Sequence, residues 1–287
     1  MKKSNWKYKY KKYILCPINE DDSLYGKKSK ELISKNAPKK LYKYRMFNDS
    51  SIENLKNNTL WFNLPKNFND PYDFGVFMSN DGIIRYNINK DKEFKEIYDK
   101  YMEIYKENST ILKSMGDIVN PIIDNDKGKL KQMFEDFRDH ICICSLSEVN
   151  DSLLMWSHYT NSHSGFCIEY DFTQINNVCS ELHPVFYDNK IIDITQYYKY
   201  KNQDLFKVAI LNKSTEWSYE NEWRIVEYNS ITEGMSINVP KPIALYFGCN
   251  MLPEHICMLS EIADKLNIDK YVMEMKEDEY KLVPKKI

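Results

Sequence analysis

The chain has 287 residues, a formal net charge of -2 at pH 7, and 14% aromatic residues against only 8 glycines. A chain of that length buries roughly three quarters of its unfolded surface, so a disordered or low-complexity protein is excluded, and the near balance of charge excludes a globally basic polyanion binder. No stretch approaches the about 18 consecutive apolar residues of a membrane span, so no membrane partner is expected. The 7 cysteines are odd in number and thinly spread, and the lysine-rich start lacks the apolar run of a secretory signal, so reduced thiols in a cytoplasm are expected.

Residues 1–40 read as a basic N-terminal leader and helix, where Lys2, Lys3, Lys7, Lys9, Lys11 and Lys12 alternate with Tyr8, Tyr10 and Tyr13. One reading of it is an arm for nucleic acid or anionic lipid, the other a solvated leader, and the net charge gives nucleic acid no support. Residues 41–250 read as a single catalytic-like α+β domain, with residues 251–287 adding a helix and a strand to it. Leu41–Arg45 alternates and is rich in aromatics, which predicts a first strand. Asn48 to Ser51 supplies caps for a helix from about Ile52 to Asn57, followed by a strand at Leu60-Trp61-Phe62. Asn69-Asp70-Pro71 predicts a turn, because proline disfavours the α region for the residue before it, and Asp70 and Asp73 are expected to cap the local backbone.

From about Lys90 to Arg138 apolar residues recur at helical spacing, which predicts a helical insertion. His140–Ser147 alternates like a buried strand, with Cys142 and Cys144 as small packing residues on one face. Asn150 to Ser152 should cap a helix through Trp156 and His158, stopped at His163-Ser164-Gly165. Further strands are expected at Ser164–Asp171, Val185–Tyr187 and Ile243–Gly248, a helix from about Ile194 to Leu211, a helix from Glu254 to Leu266, and a last strand at Tyr271–Met275.

The segment Trp217 to Val226 sets two carboxylates and a guanidinium at alternate positions in an aromatic, strand-like run. Alternation predicts Glu220, Glu222 and Arg224 on one strand face, with Tyr219, Trp223 and Ile225 nearer the other. The pattern suits a cleft wall, and it also suits a same-face ion pair on a solvated edge strand. His158 and His163 are five residues apart, which does not stack them on one helical face, and no metal is expected.

Taken in order, Leu41 to Arg45, Phe68-Asn69-Asp70-Pro71 with Asp73, Met155 to Tyr159, His163 to Gly165, and Lys213 with Trp217 to Arg224 resemble the bacterial family known as domain of unknown function 2971, over roughly Leu41 to Gly248. The order Arg45, then Ser145 and Ser147, then Glu220 and Glu222 is in turn similar to ADP-ribosyltransferases of the arginine, serine, glutamate class. That resemblance implies a mixed, mostly antiparallel β core with a helical insertion and peripheral helices. It also implies NAD as substrate, a nucleotide partner and a macromolecular acceptor, in a toxin or phage-defence setting.

On it, Glu222 would stabilise the positive charge that builds on the ribose as nicotinamide leaves, and Glu220 would orient or deprotonate the acceptor. Arg45 would hold a phosphate or ribose hydroxyl, and Ser145 or Ser147 would brace the strand. Tyr159, Tyr219 or Trp217 would stack on a flat ring, and Arg224 would help line the cleft. The usual Ser-Thr-Ser is here Ser145-Leu146-Ser147, and Lys43 alternates with Arg45 as the basic residue facing the site. Two other readings stand beside it. One is a non-enzymatic sensor or interaction domain, and the other a metal-dependent nuclease using Asp70 or Asp73, Glu220, Glu222, and Lys213 or Arg224.

Overall fold

A computed structural model describes residues 5–15, 22–107, 112–178, 182–197, 204–228 and 233–287. Lys2, Lys3 and the middle of the helix expected over 194–211 lie outside these residues. The chain divides into two compact units. One comprises Met1–Ile33, Phe74–Asp139 and Lys190–Asn212, and the other Ser34–Asp73, His140–Asn189 and Lys213–Ile287.

Helices dominate the first unit. They are α1 (Asn5–Ile14), the start of α2 (Asp22–Asn36), α4 (Asn80–Lys90), α5 (Lys92–Glu107), α6 (Leu112–Asp139) and α9 (Asp204–Ile210), numbered with α3 (Asp49–Lys56), α7 (Leu153–Tyr159), α8 (Phe172–Val178) and α10 (Pro253–Leu266) of the second unit. The helical insertion begins at Asn80 and not near Lys90, because the Ser79 hydroxyl accepts from the Gly82 N–H at 3.1 Å and starts α4. Ile83, Phe94, Val119 and Ile123 bury the facing stripes of α4, α5 and α6.

The strands in chain order are β1 (Lys40–Arg45), β2 (Thr59–Phe62), β3 (Val76–Phe77), β4 (Ile141–Ser147), β5 (Phe166–Asp171), β6 (Leu182–Pro184), β7 (Phe186–Asp188), β8 (Ile192–Asp193), β9 (Asn212–Ser214), β10 (Glu222–Tyr228), β11 (Met235–Asn238), β12 (Ala244–Phe247), β13 (Asp269–Met275) and β14 (Leu282–Lys286). The second unit is built on an eight-stranded sheet of order β14-β13-β12-β5-β1-β4-β10-β6, antiparallel throughout except between β12 and β13. The protein is therefore α+β with a mixed, mostly antiparallel core. A separate ribbon pairs β2 with β11. No helix among the described residues is long and apolar enough to cross a membrane.

Local chemistry explains where sequence periodicity and structure part. The α3 helix starts at Asp49, ahead of Ile52, because Asn48 accepts from the Ser51 N–H at 2.9 Å. The strand expected at Val185–Tyr187 is broken into β6 and β7 around Val185, whose N–H donates to the Glu222 carbonyl. The strand ending at Met275 is not the last, since β14 returns beside it; lysines and Pro284 hid a strand at the sheet edge, where proline is tolerated. Over 194–211 the described residues form a 3-10 turn at Ile194–Gln196 and then α9.

Candidate functional site

One neighbouring pair inside the large sheet, β1 and β4, is scarcely a pair. Tyr42 opposite Ser147 is the one register position that β1 and β4 share among the described residues. Beyond it the Lys43 Nζ donates to the Ser145 carbonyl at 2.7 Å, a side chain standing where a ladder bond would be. A cavity of about 500 Å³ occupies the opening, lined by Arg45, Ser145, Ser147, Tyr159, Glu220 and Glu222 among others.

Glu220 reaches this cavity by a route that strand alternation does not describe. Residues Thr215–Glu220 form a 3-10 turn, started by the Ser214 hydroxyl accepting from the Glu216 N–H, and β10 begins only at Glu222. Between them Asn221 takes a left-handed conformation, φ 44° and ψ 51°, which asparagine tolerates better than most residues. The expectation that Glu220, Glu222 and Arg224 share one strand face is thus corrected: Glu222 and Arg224 do, and a turn brings Glu220 to them.

The three converge on Lys213 and Asp73. Lys213 Nζ donates to Glu220 Oε2 at 2.6 Å and to Glu222 Oε2 at 3.1 Å. Arg224 Nε donates to Glu222 Oε1 at 2.8 Å, and its Nη2 donates to Asp73 Oδ2 at 2.6 Å. Glu220 and Glu222 are each 3% exposed and Arg224 is fully buried, so these charges must compensate one another or leave the interior. Asp73 does not cap the proline turn as expected. Asp70 does, accepting from the Tyr72 N–H at 2.9 Å, while the Asp73 carboxylate serves Arg224.

The two glutamates respond in opposite directions. Burial opposes the Glu222 charge, but Arg224 and Lys213 outweigh it and hold the carboxyl down at about 2. For Glu220, burial and then the neighbouring Glu222 charge raise the carboxyl above its ordinary value, against the pull of Lys213 and of Tyr159, whose hydroxyl donates to Oε1 at 2.6 Å. Ser147 braces this end of the cleft: its hydroxyl donates to the Glu220 carbonyl at 2.6 Å and accepts from the Val149 N–H.

At the cavity's other end Lys43 and Arg45 have no carboxylate within ion-pair distance among the described residues. Burial, with the like charge of Arg45 beside it, lowers the Lys43 pKa. Arg45 Nη2 is buried without a hydrogen-bond partner. Gly165 fixes the Arg45 main chain closely, since a side chain there would stand 2.2 Å from the Arg45 carbonyl oxygen. Both basic residues face the cavity, which answers the question of which of them does so.

Aromatic rings rim the acidic end. His158 Nδ1 lies 3.2 Å from the Tyr219 hydroxyl, and Lys213 Nζ sits 4.9 Å from the centre of the Trp217 ring. Trp223, by contrast, is core: it is fully buried, edge-on to Phe172 with ring centres 5.2 Å apart. The α7 helix carries Tyr159 into place, starting at the Ser152 cap, anchored by buried Trp156, and ending in left-handed residues at Asn161, Ser162 and His163. Cys142 and Cys144 are buried, as expected of packing residues.

Residues 155–225 match the model of the family described as Protein of unknown function (DUF2971). Over that segment the chain is similar to the family. The matched segment holds Tyr159, Lys213, Glu220, Glu222 and Arg224, whereas Lys43, Arg45 and Asp73 lie outside it. No curated protein and no solved structure matches the chain. In the sequence Lys213 and Asp73 carry the family resemblance, and Asp73 an expected cap, but they take a chemical role only in the nuclease reading. The signal for Lys213 was present in its spacing to Trp217 and Glu220, but nothing local joins Asp73 to Arg224, 151 residues away.

Proposed function

We propose that the cleft binds NAD and transfers its ADP-ribosyl group, with loss of nicotinamide, to a nucleophile on an acceptor. The observation that carries the reading is the divergence of Glu220 and Glu222, two carboxyls lining one cavity whose surroundings push their proton affinities apart. Such a split is how neighbouring acids acquire different tasks. Glu222, held as an anion by Arg224 and Lys213, supplies fixed negative charge beside a ribose that turns oxocarbenium-like in the transition state. Glu220, with its raised affinity for a proton, is the better base for an acceptor hydroxyl or amine. As the bond from ribose C1′ to nicotinamide breaks, the ring nitrogen keeps the electron pair and leaves neutral. The acceptor forms the new bond to C1′ and gives its proton to Glu220. Lys43 and Arg45 suit the diphosphate, since neither has a carboxylate within ion-pair distance among the described residues.

The nuclease alternative is less well supported. Lys213 Nζ lies 2.6 Å from Glu220, 3.1 Å from Glu222 and 3.9 Å from Asp73, so an ammonium already stands where a divalent cation would gather these carboxylates. The test incubates the purified protein with labelled NAD and cell extract. Wild type should release nicotinamide and label a product, and Glu222→Gln, checked for an unchanged melting profile, should lower the rate by about 10²-fold or more. Neither nicotinamide release nor labelled product from wild type would overturn the reading. A Glu222→Gln protein as active as wild type would remove Glu222 from the chemistry.

A further inference from the structure

A second cavity, of about 600 Å³, shares Lys43, Arg45, Trp61 and Tyr159 with the first. Its other wall differs in character. The α3 helix and its cap contribute Asn48, Ser50, Ser51, Glu53 and Asn54, and β11 contributes Ser236, so hydroxyl and amide groups outnumber the one carboxylate of this wall. Asn54 is fixed in orientation, its Oδ1 accepting from the Thr59 hydroxyl at 2.8 Å and from the Ser236 hydroxyl at 3.3 Å. Glu53 is turned to local use, accepting from the Asn57 amide.

Trp61 stands between the two chambers and is 41% exposed, unusual for the largest apolar side chain. It is also packed on one side. The backbone of Gly234 runs against the indole, and a side chain there would meet Trp61 Cζ2 at 2.4 Å. A half-exposed indole packed on one side, beside hydroxyl and amide groups, is a stacking platform for a flat heterocycle, and the adjoining pair of cations, with no carboxylate within ion-pair distance among the described residues, suits phosphate.

We propose that the second cavity binds the nucleoside of a nucleoside diphosphate, with its base on Trp61, its polar edge toward Asn54 and Ser50, and its phosphates at Lys43 and Arg45. The proposal rests on the NAD reading for what fills the first cavity, where the ribosyl-nicotinamide end would lie. Binding of ADP alone requires no reaction.

Calorimetric titration of the full chain with ADP, AMP and inorganic pyrophosphate tests it. Wild type should bind ADP more tightly than pyrophosphate, because only ADP brings a base to the platform. Trp61→Ala should weaken ADP by about tenfold while leaving pyrophosphate unchanged, and Trp61→Phe should restore most of the loss. Arg45→Ala should weaken ADP and pyrophosphate alike. Pyrophosphate binding as tightly as ADP, or Trp61→Ala binding ADP like wild type, overturns the proposal. Trp61-dependent ADP binding without nicotinamide release would remove the transferase reading and leave this site standing. Nicotinamide release with a KM for NAD unchanged in Trp61→Ala would do the reverse.

Discussion

The two ends of one cleft handle charge in opposite ways. At one end Asp73, Lys213, Glu220, Glu222 and Arg224 are buried and mutually hydrogen-bonded, so that each charge has a protein partner. At the other, Lys43 and Arg45 lie side by side with no carboxylate within ion-pair distance among the described residues, and the Glu222 charge acts on Lys43 only from farther off. The contrast separates charges that serve the fold from charges left for something else. A compensated cluster costs little while intact and much when one member is removed, whereas an uncompensated pair already bears its penalty in the empty protein and is relieved by an anion.

Breaking the compensated end should give the largest effect. Arg224→Met leaves Asp73 and Glu222 buried without their guanidinium and should cost about 3–5 kcal/mol in denaturant unfolding. A loss below about 1 kcal/mol would mean that the cluster is not the structural unit described. Acid should act on the same cluster. The Glu222 carboxyl falls from an ordinary 4.5 to about 2 in the folded protein, so its stabilisation is present above pH 4.5 and is lost as pH falls from there toward 2. Glu220 has the opposite sign: with its folded value raised, its contribution is present below its unfolded value of 4.5 and fades as pH rises through the folded one. Unfolding free energies measured between these limits should therefore drop steeply for wild type and more gently for Glu222→Gln.

A smaller effect is expected of Tyr159→Phe, which deletes the 2.6 Å hydrogen bond to Glu220 and should cost about 2 kcal/mol while raising the Glu220 pKa further. Smallest is Arg45→Ala, within about 0.5 kcal/mol of wild type by denaturant unfolding, since no ion pair among the described residues is lost. There the comparison is sharpened by added pyrophosphate, which should raise the melting temperature of wild type and leave that of Arg45→Ala nearly unmoved.

Much of the frame was legible from spacing. The alternation in Leu41–Arg45 and His140–Ser147 marks β1 and β4, and Asn48 and Ser152 mark helix starts, because periodicity and capping are local and leave their trace in adjacent residues. Order along the chain also pointed to Arg45, Ser147 and Glu222, which line one cavity. The partners of these residues were not legible. Asp73 finds Arg224 only because distant segments fold together, and Glu220 joins Glu222 through a left-handed asparagine that period-two reasoning passes over. β14 stayed hidden because a sheet edge accepts lysine and proline, residues that argue against a strand elsewhere.

The single register position between β1 and β4 has a mechanical consequence. The sheet has a seam there, with β14, β13, β12, β5 and β1 on one side and β4, β10 and β6 on the other, pinned at Tyr42 and Ser147. Arg45 belongs to the first half and Glu222 to the second. A ligand gripping both would act as a staple across the seam, and amide hydrogens of β1 and β4 beside it should exchange more slowly once the cleft is filled.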